Sequence, residues 1–106
     1  MATLSTHVLD TSLGRPAVGV RVSLEGDGGQ LAEGLTDSDG RVSDLGGSTL
    51  APGTYRLRFE TGDYFAQRGI EGFYPEVLVT FTVEGDGHVH VPLLLSPFGY
   101  STYRGS

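Results

Sequence analysis

Three histidines, His7, His88 and His90, stand out first, because imidazole is the side chain whose ordinary pKa lies near neutrality and which therefore serves as acid or base. His88 and His90 are two residues apart. On a strand, that spacing places both on one face, about 7 Å from each other. His7 lies in the run Leu4 to Asp10, where alternation sets Ser5, His7 and Leu9 on one face and Leu4, Thr6 and Val8 on the other. Arg41 directly follows the turn Asp37-Ser-Asp-Gly40. A guanidinium there can grip an anionic or carbonyl-rich ligand at two points and hold a nearby imidazole neutral. Each of these residues also has a plainer reading, since a lone histidine is usually exposed or structurally satisfied, and an arginine after a turn is usually a solvated charge. His88, beside the Gly87 turn, is the histidine expected to stand apart from any chemistry.

Other chemistries find less support. The three histidines show no defined zinc spacing and no carboxylate at a matching offset, so no metal is expected. There is no Gly-x-Ser-x-Gly elbow, phosphate loop or dinucleotide fingerprint, and Gly26 to Gly29 reads as a hairpin tip.

The elements that must position these residues are strands. Seventeen glycines and five prolines punctuate short apolar runs at the spacing of strands joined by turns. Val18, Val20, Val22 and Leu24 alternate with Gly19, Arg21 and Ser23, which predicts a half-buried strand, and Gln30 to Thr36 completes a hairpin with it. Residues 42 to 53 read as a loop. Tyr55, Leu57 and Phe59 face the core from Thr54 to Glu60, and Val77, Val79, Phe81 and Val83 do so from Glu76 to Glu84. Between them, 61 to 74 has no clean period, and a short helix over Asp63 to Arg68, capped by Thr61 or Asp63, is the expectation. The Glu84-Gly-Asp-Gly87 tip leads to His88 to Leu95, where Pro92 predicts an edge or a bulge. A last short strand falls in Phe98 to Tyr103. The total is seven or eight strands and at most one short helix, an all-β antiparallel sandwich forming a single domain over residues 1–106.

Composition narrows the function classes. The net charge of −6 opposes a phosphate backbone, and the seven basic residues, all arginine, are scattered, so no nucleic-acid partner is expected. No cysteine is present, which removes disulfides and thiolate metal sites and is compatible with a reducing compartment. No apolar stretch approaches the roughly 20 residues that cross a bilayer, and the first ten residues lack the pattern of a signal peptide. A cytoplasmic protein without membrane contact is expected.

Longer motifs say more. The opening Leu4-Ser-Thr-His-Val-Leu-Asp-Thr-Ser-Leu-Gly-Arg-Pro-Ala-Val-Gly-Val-Arg-Val22 closely resembles the amino-terminal signature of the 5-hydroxyisourate hydrolases, a branch of the transthyretin family. The far end, His88-Val-His-Val-Pro-Leu-Leu-Leu-Ser-Pro-Phe-Gly-Tyr-Ser-Thr-Tyr-Arg-Gly-Ser106, resembles theirs too, including the closing Tyr-Arg-Gly-Ser that sets the hydrolases apart from the hormone carriers. Thr36 to Arg41, Tyr55 to Phe59, Thr61 to Phe65 and Phe73 to Val77 follow the family's order between them. The resemblance implies a transthyretin-like sandwich assembled as a homotetramer, with active sites where two dimers meet. It implies hydrolysis of 5-hydroxyisourate to 2-oxo-4-hydroxy-4-carboxy-5-ureidoimidazoline in urate degradation, with no cofactor. Carried over by position, it makes His7, Arg41, His90 and Ser106 catalytic, and has His7, Arg41 and Tyr103 bind substrate. Which histidine acts as base stays open. Two rivals stand beside this reading: a carrier of a small aromatic ligand, which would want an apolar, lysine-bearing channel in a chain that has no lysine, and a structural sandwich module.

Overall fold

The computed structural model of the protein describes residues 1–43, 45 and 49–105. Two sheets pack face to face. One holds β1 (Ala2–Asp10), β2 (Arg15–Pro16), β5 (Arg41–Val42), β8 (Gly87–Ser96) and β9 (Gly99–Thr102); the other holds β3 (Arg21–Gly26), β4 (Gly29–Leu35), β6 (Gly53–Phe59) and β7 (Val77–Val83). The first runs in the order β2-β1-β8-β9, with β5 also on β1, and the second in the order β4-β3-β6-β7. Two of these strands are only two residues long, so the seven longer ones account for the expected sandwich.

One pairing departs from an antiparallel arrangement. β1 and β8 run parallel, in register from Ala2 with Gly87 to Asp10 with Leu95. These strands come from opposite ends of the chain, so no hairpin imposes an antiparallel path on them. The ladder from β8 to β9 ends at Leu93 and Thr102, beside Pro92, which has no N–H to donate.

Alternation builds the core. Leu4 and Val8 of β1, and Val91, Leu93 and Leu95 of β8, pack against Val22, Leu24, Leu57, Phe59, Val77 and Val79 of the facing sheet. The opposite face of β1 and β8 is thereby left to Ser5, His7, His88 and His90. Val18 does not join the core as its spacing predicted. It is 43% exposed, because Gly19 takes a positive φ of 81° and breaks the alternation before β3 begins.

The helix α1 (Thr61–Gln67) starts two residues earlier than expected. Glu60 stands at its N-cap with no side-chain cap bond, so neither Thr61 nor Asp63 caps it. Burial of Tyr64 and Phe65 holds it instead, as tertiary packing commonly does for so short a helix. No helix among the described residues is long and apolar enough to cross a membrane.

Tyr64 ties this helix to β1. Its hydroxyl donates to Asp10 Oδ2 at 2.8 Å, while Asp10 Oδ1 accepts from Ser12 Oγ at 2.5 Å and from the backbone N–H groups of Ser12 and Leu13. Burial raises the Asp10 pKa, but these donors outweigh it and hold the carboxyl below its ordinary 3.8. Burial and Asp10 together push the Tyr64 phenol up to about 12, so it remains a donor. Tyr64→Phe should leave Oδ2 buried without this partner and cost about 1–3 kcal/mol in urea unfolding. Since a depressed carboxylate stabilises above its unfolded pKa, the deficit should be full at neutral pH and shrink as pH falls through the lowered value.

Candidate active site

The outer face of the five-stranded sheet gathers the polar residues singled out by spacing. Register does the gathering: His7 of β1 lies opposite Arg41 of β5, and Ser5 of β1 lies beside His90 of β8. Directly opposed residues of an antiparallel pair have Cβ atoms about 4.5–5.5 Å apart, so the imidazole of His7 and the guanidinium of Arg41 share one patch. His90 sits one strand over, with its diagonal neighbour Pro92 in register with His7.

The turn before Arg41 explains why it lands there. Asp37 Oδ1 accepts from the backbone N–H groups of Asp39 at 2.9 Å and Arg41 at 3.0 Å, closing a tight loop. These bonds, that from Arg41 first, hold the Asp37 carboxyl below its ordinary range. Gly40 takes φ of 75°, and its carbonyl accepts from Val8 N–H at 2.7 Å. A Cβ at Gly40 would meet the Val8 carbonyl at 2.5 Å, so only glycine lets the turn press against β1.

His90 is half-buried, and its Nδ1 lies 2.8 Å from Ser5 Oγ. Burial chiefly, and then the positive charge of Arg41, lower its pKa below the ordinary 6.5. The shift favours the uncharged ring, which is the form able to accept a proton. Gly105 covers the ring, bonding through its N–H to the His90 carbonyl at 2.9 Å. A Cβ on Gly105 would stand 2.5 Å from His90 Cδ2, closer than real contacts allow. Gly105→Ala should accordingly turn the ring out of place and lower turnover at least tenfold, with circular dichroism unchanged.

The remaining expected residues fall as follows. Tyr103, 58% exposed, lines a groove of about 350 Å³ together with His88, His90 and Arg104. His7 and Arg41 lie outside that groove, on the open face. Ser106 lies outside the described residues. His88, expected to stand apart, instead touches the site: its Nε2 is 2.7 Å from Ser5 Oγ and its Nδ1 is 2.6 Å from Thr3 Oγ1. Ser5 itself was placed on the histidine face by alternation but carried no chemical signal, since a serine within a strand is ordinary. Among the described residues no group of three histidine, aspartate or glutamate side chains is placed to hold a metal ion.

What the fold and this face define is a β-sandwich with an open imidazole–guanidinium patch, suited to moving protons at a carbonyl compound. Comparison with known proteins places it more closely. The model of the HIUase/Transthyretin family matches residues 4–105, and the chain belongs to that family. It is 50% identical to 5-hydroxyisourate hydrolase 2 of Rhizobium meliloti, over 97% of this chain and 95% of that protein. The solved 5-hydroxyisourate hydrolase of Klebsiella pneumoniae superimposes with a TM-score of 0.94 at 45% identity, covering all of both chains. Transthyretin from Sparus aurata superimposes with a TM-score of 0.87 at 33% identity, covering 97% of this chain and 96% of that one.

Proposed function

We propose that the protein hydrolyses 5-hydroxyisourate, and that His7, Arg41 and His90 carry the reaction. The observation that supports this best is the convergence of those three side chains on one sheet face, where burial and Arg41 lower the His90 pKa. His90 takes a proton from water as its oxygen attacks the ring carbonyl. Arg41 stabilises the oxyanion that develops there. The carbon–nitrogen bond then breaks, the leaving nitrogen takes up by way of His7 the proton that His90 drew from water, and the water oxygen stays on the carbon as a carboxyl group that releases its remaining proton to solvent. Tyr103, in the groove with His90, orients the substrate, and Ser106 has the part of ordering the water. No metal or organic cofactor enters this scheme.

A single domain of 106 residues working as a cytoplasmic homotetramer completes the reading. His7 and Arg41 lie outside the groove that holds His90, and a second dimer laid over their face would exclude water and strengthen the electrostatics. The carrier alternative is disfavoured by the ionisable patch and by the higher identity to hydrolases, 50% and 45%, than to the transthyretin, 33%.

The test generates 5-hydroxyisourate from urate with urate oxidase and follows its ultraviolet absorbance. Decay well above the spontaneous rate, proportional to added protein, is expected. Decay at the spontaneous rate with folded protein present would overturn the proposal.

A further inference from the structure

The hydrogen bonds behind His90 form a chain that no part of the reaction scheme has used. Ser5 Oγ is shared between His90 Nδ1 at 2.8 Å and His88 Nε2 at 2.7 Å, and His88 Nδ1 reaches Thr3 Oγ1 at 2.6 Å. A hydroxyl has one proton to give. Ser5 can therefore donate to only one of the two rings and must accept from the other.

Two arrangements satisfy the chain. In one, His90 Nδ1–H donates to Ser5, Ser5 donates to His88 Nε2, and His88 Nδ1–H donates to Thr3. His90 Nε2 then carries a lone pair, and it has no hydrogen-bond partner among the described residues. In the reverse arrangement Ser5 donates to His90 Nδ1, the ring proton sits on Nε2, and His90 has nothing with which to accept a proton from water. Only the first leaves His90 a ring nitrogen free to accept a proton from water, as the hydrolase reading requires of it.

We propose that Ser5 and His88 are positioning residues for the hydrolysis: through the shared Ser5 hydroxyl they keep the His90 proton on Nδ1 and leave its Nε2 free to act as base. This assignment rests on the hydrolase reading above, and it gives His88 a role through a neighbour rather than on the substrate. The relay is built by register alone. The parallel pairing of β1 with β8 sets Thr3 beside His88 and Ser5 beside His90, so hydroxyls and imidazoles alternate along the two strands.

Long-range proton–nitrogen NMR of the full chain labelled with ¹⁵N-histidine reads the tautomer directly. Wild type should show His90 protonated at Nδ1. Ser5→Ala should shift His90 toward the Nε2–H form and lower kcat about tenfold or more with KM within about twofold, as loss of the correct tautomer does in other imidazole bases. His88→Gln, whose amide oxygen still accepts from Ser5, should keep both tautomer and kcat. His88→Met should behave like Ser5→Ala, and being at an exposed position it makes the same cut should Ser5→Ala fold poorly. A wild-type His90 protonated at Nε2, or variants that leave tautomer and kcat unmoved, would overturn the proposal. Absence of turnover in wild type would defeat the hydrolase reading instead, while the tautomer, measured without substrate, would still report on the relay.

Discussion

Replacing His90 by Asn is expected to lower turnover of 5-hydroxyisourate by about 10²–10⁴-fold, the range for removal of a general acid or base. That corresponds to about 3–5 kcal/mol of transition-state stabilisation. Asparagine keeps a polar group near Ser5 and roughly the volume of the near half of the ring, but it has no nitrogen able to accept a proton near neutral pH. The loss should fall on kcat, because the proton transfer belongs to the transition state rather than to binding. Because the ring is only half-buried and lies on the outer face, away from the inter-sheet core, the melting temperature and assembly size should hardly change. Turnover within a few-fold of wild type would remove His90 from the mechanism.

Arg41→Gln carries the second large effect, and it acts in two ways. In the proposed mechanism the guanidinium faces the carbonyl oxygen that gains charge, and losing such a donor costs about 10²–10³ in kcat. It is also the largest of the charges that lower the His90 pKa, second only to burial. Without it the His90 pKa should rise toward 6.5, so the acid limb of kcat/KM should move upward while the plateau falls. Arg41 is exposed and its backbone, not its side chain, completes the Asp37 turn, so the variant should fold normally. Steady-state rates across pH check both halves. A reduced plateau with an unmoved limb would confine Arg41 to the oxyanion.

Much of this site was legible along the chain because strand alternation is a local rule. His7 is opposed to Leu4 and Val8 by spacing alone, and the structure buries those two while leaving His7 on the other face. The Asp-Ser-Asp-Gly turn likewise announces itself, and Arg41 follows it directly. What spacing could not supply was the partner of each strand. The parallel pairing of β1 with β8 joins residues more than eighty positions apart, and no local pattern encodes it. For that reason His88 read as a bystander: its contacts with Ser5 and Thr3 exist only once the register is known. Val18 and the helix start failed for a different reason. A single glycine with positive φ reset the alternation at one, and burial of Tyr64 and Phe65 outweighed cap preferences at the other. The catalytic grouping itself came from the resemblance of long motifs, since three histidines and an arginine carry little weight singly.

If a histidine whose pKa is lowered by burial and by Arg41 activates water, the dependence of kcat/KM on pH shows it most directly. After subtraction of the spontaneous decay, wild-type kcat/KM should stay level through neutral pH and fall only below 6.5, the ordinary histidine value from which His90 is lowered. An acid limb at or above 6.5 would contradict it, and would mean that the base is not the histidine that Arg41 and the sheet hold uncharged.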